Sequence, residues 1–334
     1  MTILKKSIAP ILSATVTLVG LAPTVSQARI VRLEITETKP AFGGRSFGEV
    51  GAYERVIGKA YGEVDPALPS NAMIQDIALA PKNTKGMVEY STDIDILRPA
   101  DRSKTNGVLF FNIINRGNKG GLSLFNTDIP GGPANTGNIN ALTEAGDGFM
   151  QQQGYTIVWF GWQPDVAAGN NRMTMQVPVA RNANGTPITG VVRNEVIVSA
   201  PTTTVAVQSG WFTPASKPYP TVSADNKTPL ADGFLPTLTV RVRENEPRIA
   251  IPNSEWSFGS CEAGKPAEAS DTKLCYQAGF KPGHLYELIY RAKDPQVLGL
   301  GFAAGATSAH SSRHRTRMTA GSPIPPMSAA QRRS

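Results

Sequence analysis

Residues with chemistry to offer converge on one turn, Asn115-Arg116-Gly117-Asn118-Lys119-Gly120-Gly121, which follows an apolar run. A loose Gly/Asn turn at the carboxyl end of a strand is where ligands and catalytic groups gather in parallel sheets flanked by helices. Asn115, Arg116, Gly117 and Asn118 are therefore where chemistry is first to be sought. The competing reading is a plain connection from strand to helix, with Gly117 present for a positive φ. Asp165, just beyond the next apolar run, is a weaker candidate at the same end of the structure.

Other reactive side chains stand alone. Ser46 lies in Gly44-Arg45-Ser46-Phe47-Gly48, which fits the G-x-S-x-G pattern of a nucleophile elbow. That elbow needs a buried strand before it and a helix after it; residues 39–43 read as a Pro/Gly turn, so Ser46 is not expected to be a nucleophile. His284 is the only histidine of residues 29–304, and there is no C-x-x-C. One histidine does not make a metal site, so no metal or other cofactor is expected. Cys261 and Cys275 are expected to form a disulfide, contributing about 3 kcal/mol through the loop it closes.

The elements that must position these groups are legible around the turn. The runs 108–114 (VLFFNII) and 155–160 (YTIVWF) lack alternation and read as strands covered on both faces, as in a parallel sheet flanked by helices. Between them Ile139, Leu142, Ala145, Phe149 and Met150 recur at near-helical spacing until Gly154, which predicts a helical crossover. In such sheets ligands gather outside the carboxyl ends of the strands, where the 115–121 turn falls. Upstream, Val31, Leu33 and Ile35 alternate with polar residues, and Ile94 and Ile96 alternate with Asp93 and Asp95, predicting a β layer before residue 101. Residues 170–251 carry further strand-like runs between Asn/Gly/Pro-rich loops and read as a β-rich insertion. Residues 284–290 read as a strand, and Asp294-Pro295 as the start of a helix through Val297, Leu298 and Phe302.

The two ends set compartment and charge. Lys5 and Lys6, an apolar stretch over 8–21 and Ser26-Gln27-Ala28 read as a signal peptide over residues 1–28, making the protein exported, periplasmic or secreted, with no membrane association after cleavage. Two lysines of that leader and five arginines after residue 305 account for the net charge of +7, so residues 29–304 are neutral. A nucleic-acid partner is therefore not expected. Residues 305–334 lack acids and aromatics and read as a disordered basic tail, either natural or the product of a shifted reading frame.

The stretches IINRGNKGG and GYTIVWFGWQPDV, together with residues 43–66 and 283–304, resemble the α/β-hydrolase domain family of exported bacterial proteins of mostly unknown substrate. The resemblance implies an α/β fold: an incomplete α/β-hydrolase-like sheet over residues 29–304, with a β-rich amino-terminal layer and the β-rich insertion. It covers the amino-terminal portion of such a domain only, ending before the Ser-centred elbow, the acid and the histidine of a triad. It also implies that the 115–118 turn is the oxyanion loop, that Gly44 to Gly48 belongs to an amino-terminal motif, and that an open apolar edge lies beside strand 108–114. The expected function is thus a fragment of an exported hydrolase of ester or related acyl bonds, inactive for want of its triad, whose partner would be a small acyl substrate. The rival class is a secreted β-rich binding module without catalytic activity, stacking ligands on Trp159, Trp162, Trp211 or Trp256, which requires those rings to be exposed.

Overall fold

The structure is a computed structural model that describes residues 28–127, 142–167, 169–208, 216–223, 225–262, 265–266 and 268–314. Residues 1–27 of the expected signal peptide, Trp211, Ile139 of the expected crossover and residues 315–334 of the tail lie outside the described residues. Strands dominate because the apolar residues recur at short, mostly two-residue or unbroken spacing between Gly, Pro and Asn turns. Among the described residues strand far outweighs helix.

The first sheet contains β1 (Arg29–Pro40), β2 (Ser46–Phe47), β3 (Gly51–Val64), β4 (Val88–Pro99), β5 (Leu109–Ile113), β6 (Thr156–Phe160) and β7 (Met175–Gln176). Its main order is β1-β3-β4-β6-β5, with β2 beside β3 and β7 beside β4. The long antiparallel ladder of β3 on β4 runs from Tyr53↔Pro99 to Val64↔Val88. Only β5 and β6 pair in parallel, Leu109↔Thr156 through Ile113↔Phe160. β5 ends the order, and Ile113 beside its outer edge is 69% exposed.

The expected α/β-hydrolase-like sheet is corrected here. The two apolar runs are strands and they do pair in parallel, but the remainder of the sheet is antiparallel and only two helices are described. Among the described residues of the crossover there is no long helix, only a 3-10 turn (Leu122–Leu124) and one four-residue turn of helix, α1 (Phe149–Gln152). The physical reason lies in the backbone: Leu142 (φ 53), Gly146 (φ 60) and Gly148 (φ 72) adopt left-handed conformations that no right-handed helix can pass through. Leu142, Ala145 and Met150 are nevertheless buried, packing with Tyr53, Leu97 and Trp159 as an irregular plug. Over the described part of this stretch, near-helical spacing reflects packing more than one continuous helix.

The rest of the chain forms two further sheets. One has the order β11-β10-β14-β8, from β8 (Thr189–Val196), β10 (Thr237–Arg241), β11 (Ile249–Ile251) and β14 (Leu285–Lys293). The other has the order β12-β13-β9, from β9 (Thr202–Ala206), β12 (Trp256–Ser260) and β13 (Glu268–Phe280). They share a core of Leu238, Trp256, Phe258, Leu274, Phe280, Leu288 and Tyr290. Of the strands of residues 170–251, β8, β9 and β10 pair with strands that follow residue 251, whereas β7 pairs with β4 of the first sheet. A disulfide joins Cys261 to Cys275 with the Cα atoms 5.4 Å apart. Its role is local, tying the end of β12 to β13.

After β14 the chain returns to the first sheet. Asp294 takes φ 60 rather than capping a helix, and α2 (Leu300–His314) begins five residues later than expected. Helix α2 also runs past residue 304, so residues 305–314, expected as disordered tail, are helical. Val297, Leu300 and Ala304 are buried against β1 and β3 residues such as Leu33 and Val64. Gly301 permits this approach, because a Cβ there would stand 1.9 Å from the Trp162 carbonyl oxygen. Among the described residues no helix is long and apolar enough to cross a membrane.

Candidate functional site

The turn after β5 folds back on the segment after β6. Arg116, at φ 49, donates its backbone N–H to Gln163 Oε1 (2.6 Å), and its guanidinium reaches the Asp165 carboxylate (2.9 and 3.1 Å) and Ser216 Oγ. The Asn118 N–H donates to the Asn115 carbonyl (3.0 Å), and the Gly117 carbonyl accepts from Met173 N–H (2.9 Å). Gly117 meets two demands at once: φ is 80, and a Cβ would lie 2.7 Å from the Met173 oxygen. Asn115, Arg116, Gly117, Asn118 and Asp165 therefore do come together. They form a clasp in which the Arg116 and Asn118 amides already have acceptors within the protein.

The clasp carries the next residue inward. Lys119 is buried, with its Nζ 3.1 Å from Asp95 Oδ2. Asp95 also receives Arg55, whose Nε lies 2.9 and 3.1 Å from the two carboxylate oxygens and whose Nη2 lies 2.6 Å from Oδ2. Alternation produces this group: Arg55, Ile57 and Lys59 occupy one face of β3, and the register sets Ile57 against Asp95 and Lys59 against Asp93 on β4. Lys59 Nζ lies 2.6 Å from Asp93 Oδ1, and the other Asp93 oxygen accepts from Thr174 N–H (2.9 Å).

Over these residues lies a cleft of about 800 Å³. Its apolar wall includes Phe42, Leu142 and Met173. Among the described lining residues five are cationic (Lys39, Arg55, Lys59, Lys119, Arg172) and three are carboxylates (Glu37, Asp93, Asp95). Arg172 donates to the Ala167 carbonyl (3.0 Å) and not to a carboxylate. Burial pushes the Lys119 amine below the ordinary lysine range, against the opposing attraction of Asp95, and the Arg55 charge adds to the lowering. Such a floor offers charge-assisted donors to an anion in surroundings where water screens little.

The other reactive residues stand apart from this cleft. Ser46 is exposed in the two-residue strand β2 and is followed by a 3-10 turn, without the strand–helix frame of an elbow. The His284 ring contacts the Pro282 carbonyl (3.2 Å) and stacks near Tyr286, bonded to neither a serine nor a carboxylate. Among the described residues no three His, Cys, Asp or Glu side chains are grouped to hold a metal. Of the tryptophans expected as stacking platforms, Trp211 lies outside the described residues and the other three are not exposed. Trp159 and Trp256 are buried, and Trp162 is half-buried, donating to the Ile114 carbonyl and packing 5.3 Å from the Phe302 ring.

Sequence reasoning missed Arg55, Asp95, Lys119 and Arg172. A faint signal existed in the DID alternation of residues 93–95 and in the lysine of the candidate turn itself. No known family model, curated protein or solved structure matches the chain.

Proposed function

We propose that this chain is an exported β-rich binding protein for a small organic anion, which it holds in the cleft above Arg55, Asp95 and Lys119. One observation carries the reading: a cleft of ligand size is floored by a buried charge cluster and lined by more described cations than carboxylates. The apolar wall beside it favours an acid with a hydrocarbon or aromatic part over a bare inorganic ion. Export is supported by the leader-like amino terminus and the disulfide.

The test is a ligand panel read by thermal unfolding and titration calorimetry. Aromatic and aliphatic carboxylates should raise the melting temperature, whereas the corresponding neutral amides should not. Arg172→Gln should weaken the response. Equal shifts from acids and amides, or none from either, would sink the anion reading. Intact-mass analysis of the exported protein should place the amino terminus at Arg29.

The ester-hydrolase reading rests on the resemblance of residues 43–66, 113–121, 154–166 and 283–304 alone. The chain is expected to show no turnover of simple aryl esters and no labelling by a serine-directed phosphonate. Stoichiometric labelling, at Ser46 or elsewhere, would restore the hydrolase reading.

A further inference from the structure

The cleft holds one nucleophile in an unusual setting. Among its described lining residues are the hydroxyls Thr36 and Thr143 but no serine, cysteine or histidine, and of its three lysines two are open to water. The Lys39 and Lys59 side chains are each 43% exposed, whereas Lys119 is 2% exposed. An exposed ammonium keeps its proton and its hydration shell. An enclosed one, beside the Arg55 guanidinium, is more readily the free amine, and the free amine is what attacks a carbonyl carbon.

We propose that Lys119 condenses with an aldehyde- or keto-acid held in this cleft, forming an imine through its Nζ. The inference rests on the anion-binding reading, which supplies the means of holding the acid: Arg172, Lys39 and Lys59 would take the ligand's carboxylate while its carbonyl reaches the floor. Asp95 stands 3.1 Å from the amine, within the range for direct proton transfer. In the addition step the Nζ–C bond forms and the carbonyl electron pair moves to oxygen. Asp95 takes a proton from the attached nitrogen and passes it to that oxygen, giving the carbinolamine. The C–O bond then breaks as C=N forms, and the carbonyl oxygen leaves as water with both hydrogens of the amine. Nothing is oxidised or reduced. The apolar wall of Phe42, Leu142 and Met173 limits the water that would reverse the last step.

The test uses p-formylbenzoate, an aromatic acid bearing an aldehyde, with cyanoborohydride to fix any imine on the full exported chain. The expected result is one p-carboxybenzyl group per chain, mapped by peptide mass analysis to Lys119, with Lys39 and Lys59 unmodified. p-Toluate, the same acid without the aldehyde, should suppress the labelling, and Lys119→Arg should lose it. Labelling spread over the exposed lysines with Lys119 unmodified would overturn the proposal, as would unchanged labelling of a folded Lys119→Arg chain. Should that variant fail to fold, as judged by circular dichroism, the wild-type peptide map decides alone. Calorimetry with p-toluate separates the two readings. Binding of p-toluate without an adduct at Lys119 ends the imine inference only, whereas an adduct at Lys119 without p-toluate binding ends the anion reading only.

Discussion

Removing the Asp95 charge perturbs the site most directly, and Asp95→Asn does so while preserving shape. The side chains of Asp95 and Lys119 are each 2% exposed and that of Arg55 10%, so water can compensate little. At 3.1 Å the Lys119–Asp95 pair alone carries about 5 kcal/mol of gross attraction at an effective dielectric of 20. Desolvation offsets much of this in the wild type, but the substitution leaves two buried cations facing one another without their shared carboxylate. Breaking a buried ion group in this way costs about 3–5 kcal/mol. With a urea slope of about 3 kcal/mol per molar, the unfolding midpoint should fall by roughly 1–1.7 M. Lys119→Met should behave differently. It leaves Arg55 and Asp95 as a bidentate pair and relieves the repulsion between the two cations, so its cost should stay within about 1 kcal/mol. Equilibrium urea unfolding of the three proteins checks the pair of expectations. An Asp95→Asn chain as stable as wild type, or a Lys119→Met chain destabilised as much as Asp95→Asn, would refute the view that Asp95 neutralises two buried cations.

Other consequences can be measured on the same material. Because burial lowers the Lys119 pKa in the folded state, the unfolded chain binds the extra proton. The resulting penalty is full below the lowered folded value and is released as pH rises toward the ordinary lysine value of about 10.4; Lys119→Met should remove this alkaline rise in stability. Glu287 acts at the acid end. Burial works to raise its carboxyl, but Arg248 and Arg193 hold it below the usual range. Its stabilisation is therefore present above the ordinary carboxylate value of about 4.3 and lost as pH falls through the lowered folded value, so Glu287→Gln should flatten the acid limb of a stability–pH curve. The paired substitution Cys261→Ser with Cys275→Ser should lower unfolding free energy by about 3 kcal/mol, and the native protein should contain no thiol reactive with Ellman's reagent after unfolding. Gly301→Ala should destabilise by roughly 1–3 kcal/mol despite alanine's higher helix propensity, since the clash is with the fixed Trp162 backbone and not with a movable side chain.

Local patterning in the sequence was sufficient for several elements. The unbroken apolar runs at 108–114 and 155–160 are strands, and their parallel pairing was legible because neither alternates apolar with polar residues, although β5 ends the sheet with Val108 and Ile113 exposed. The pairing of Cys261 with Cys275 needed only two cysteines and an oxidising compartment. The amino-terminal alternation was read correctly as a strand, but Ile30 and Leu33 are the deeply buried positions because register shifts interrupt β1 after Ile30. The crossover helix is not found among the described residues, where positive-φ residues at 142, 146 and 148 interrupt the periodic stretch between the parallel strands.

Tertiary structure alone decided the site. In the sequence Asp93 and Asp95 alternate with Ile94 and Ile96 in the manner of a half-buried strand, which predicts carboxylates facing water. In the folded chain Asp95 is 1% exposed. It is covered because Lys119 comes in from the turn after β5, on a loop held against residues 172 and 173 by Gly117. Its partner Arg55 is 40 residues away in sequence. Hydrophobic periodicity reports which face of a strand is covered by apolar neighbours, but a charge can be buried only where an opposite charge arrives from elsewhere, and that arrival depends on sheet register and loop geometry rather than on any local pattern.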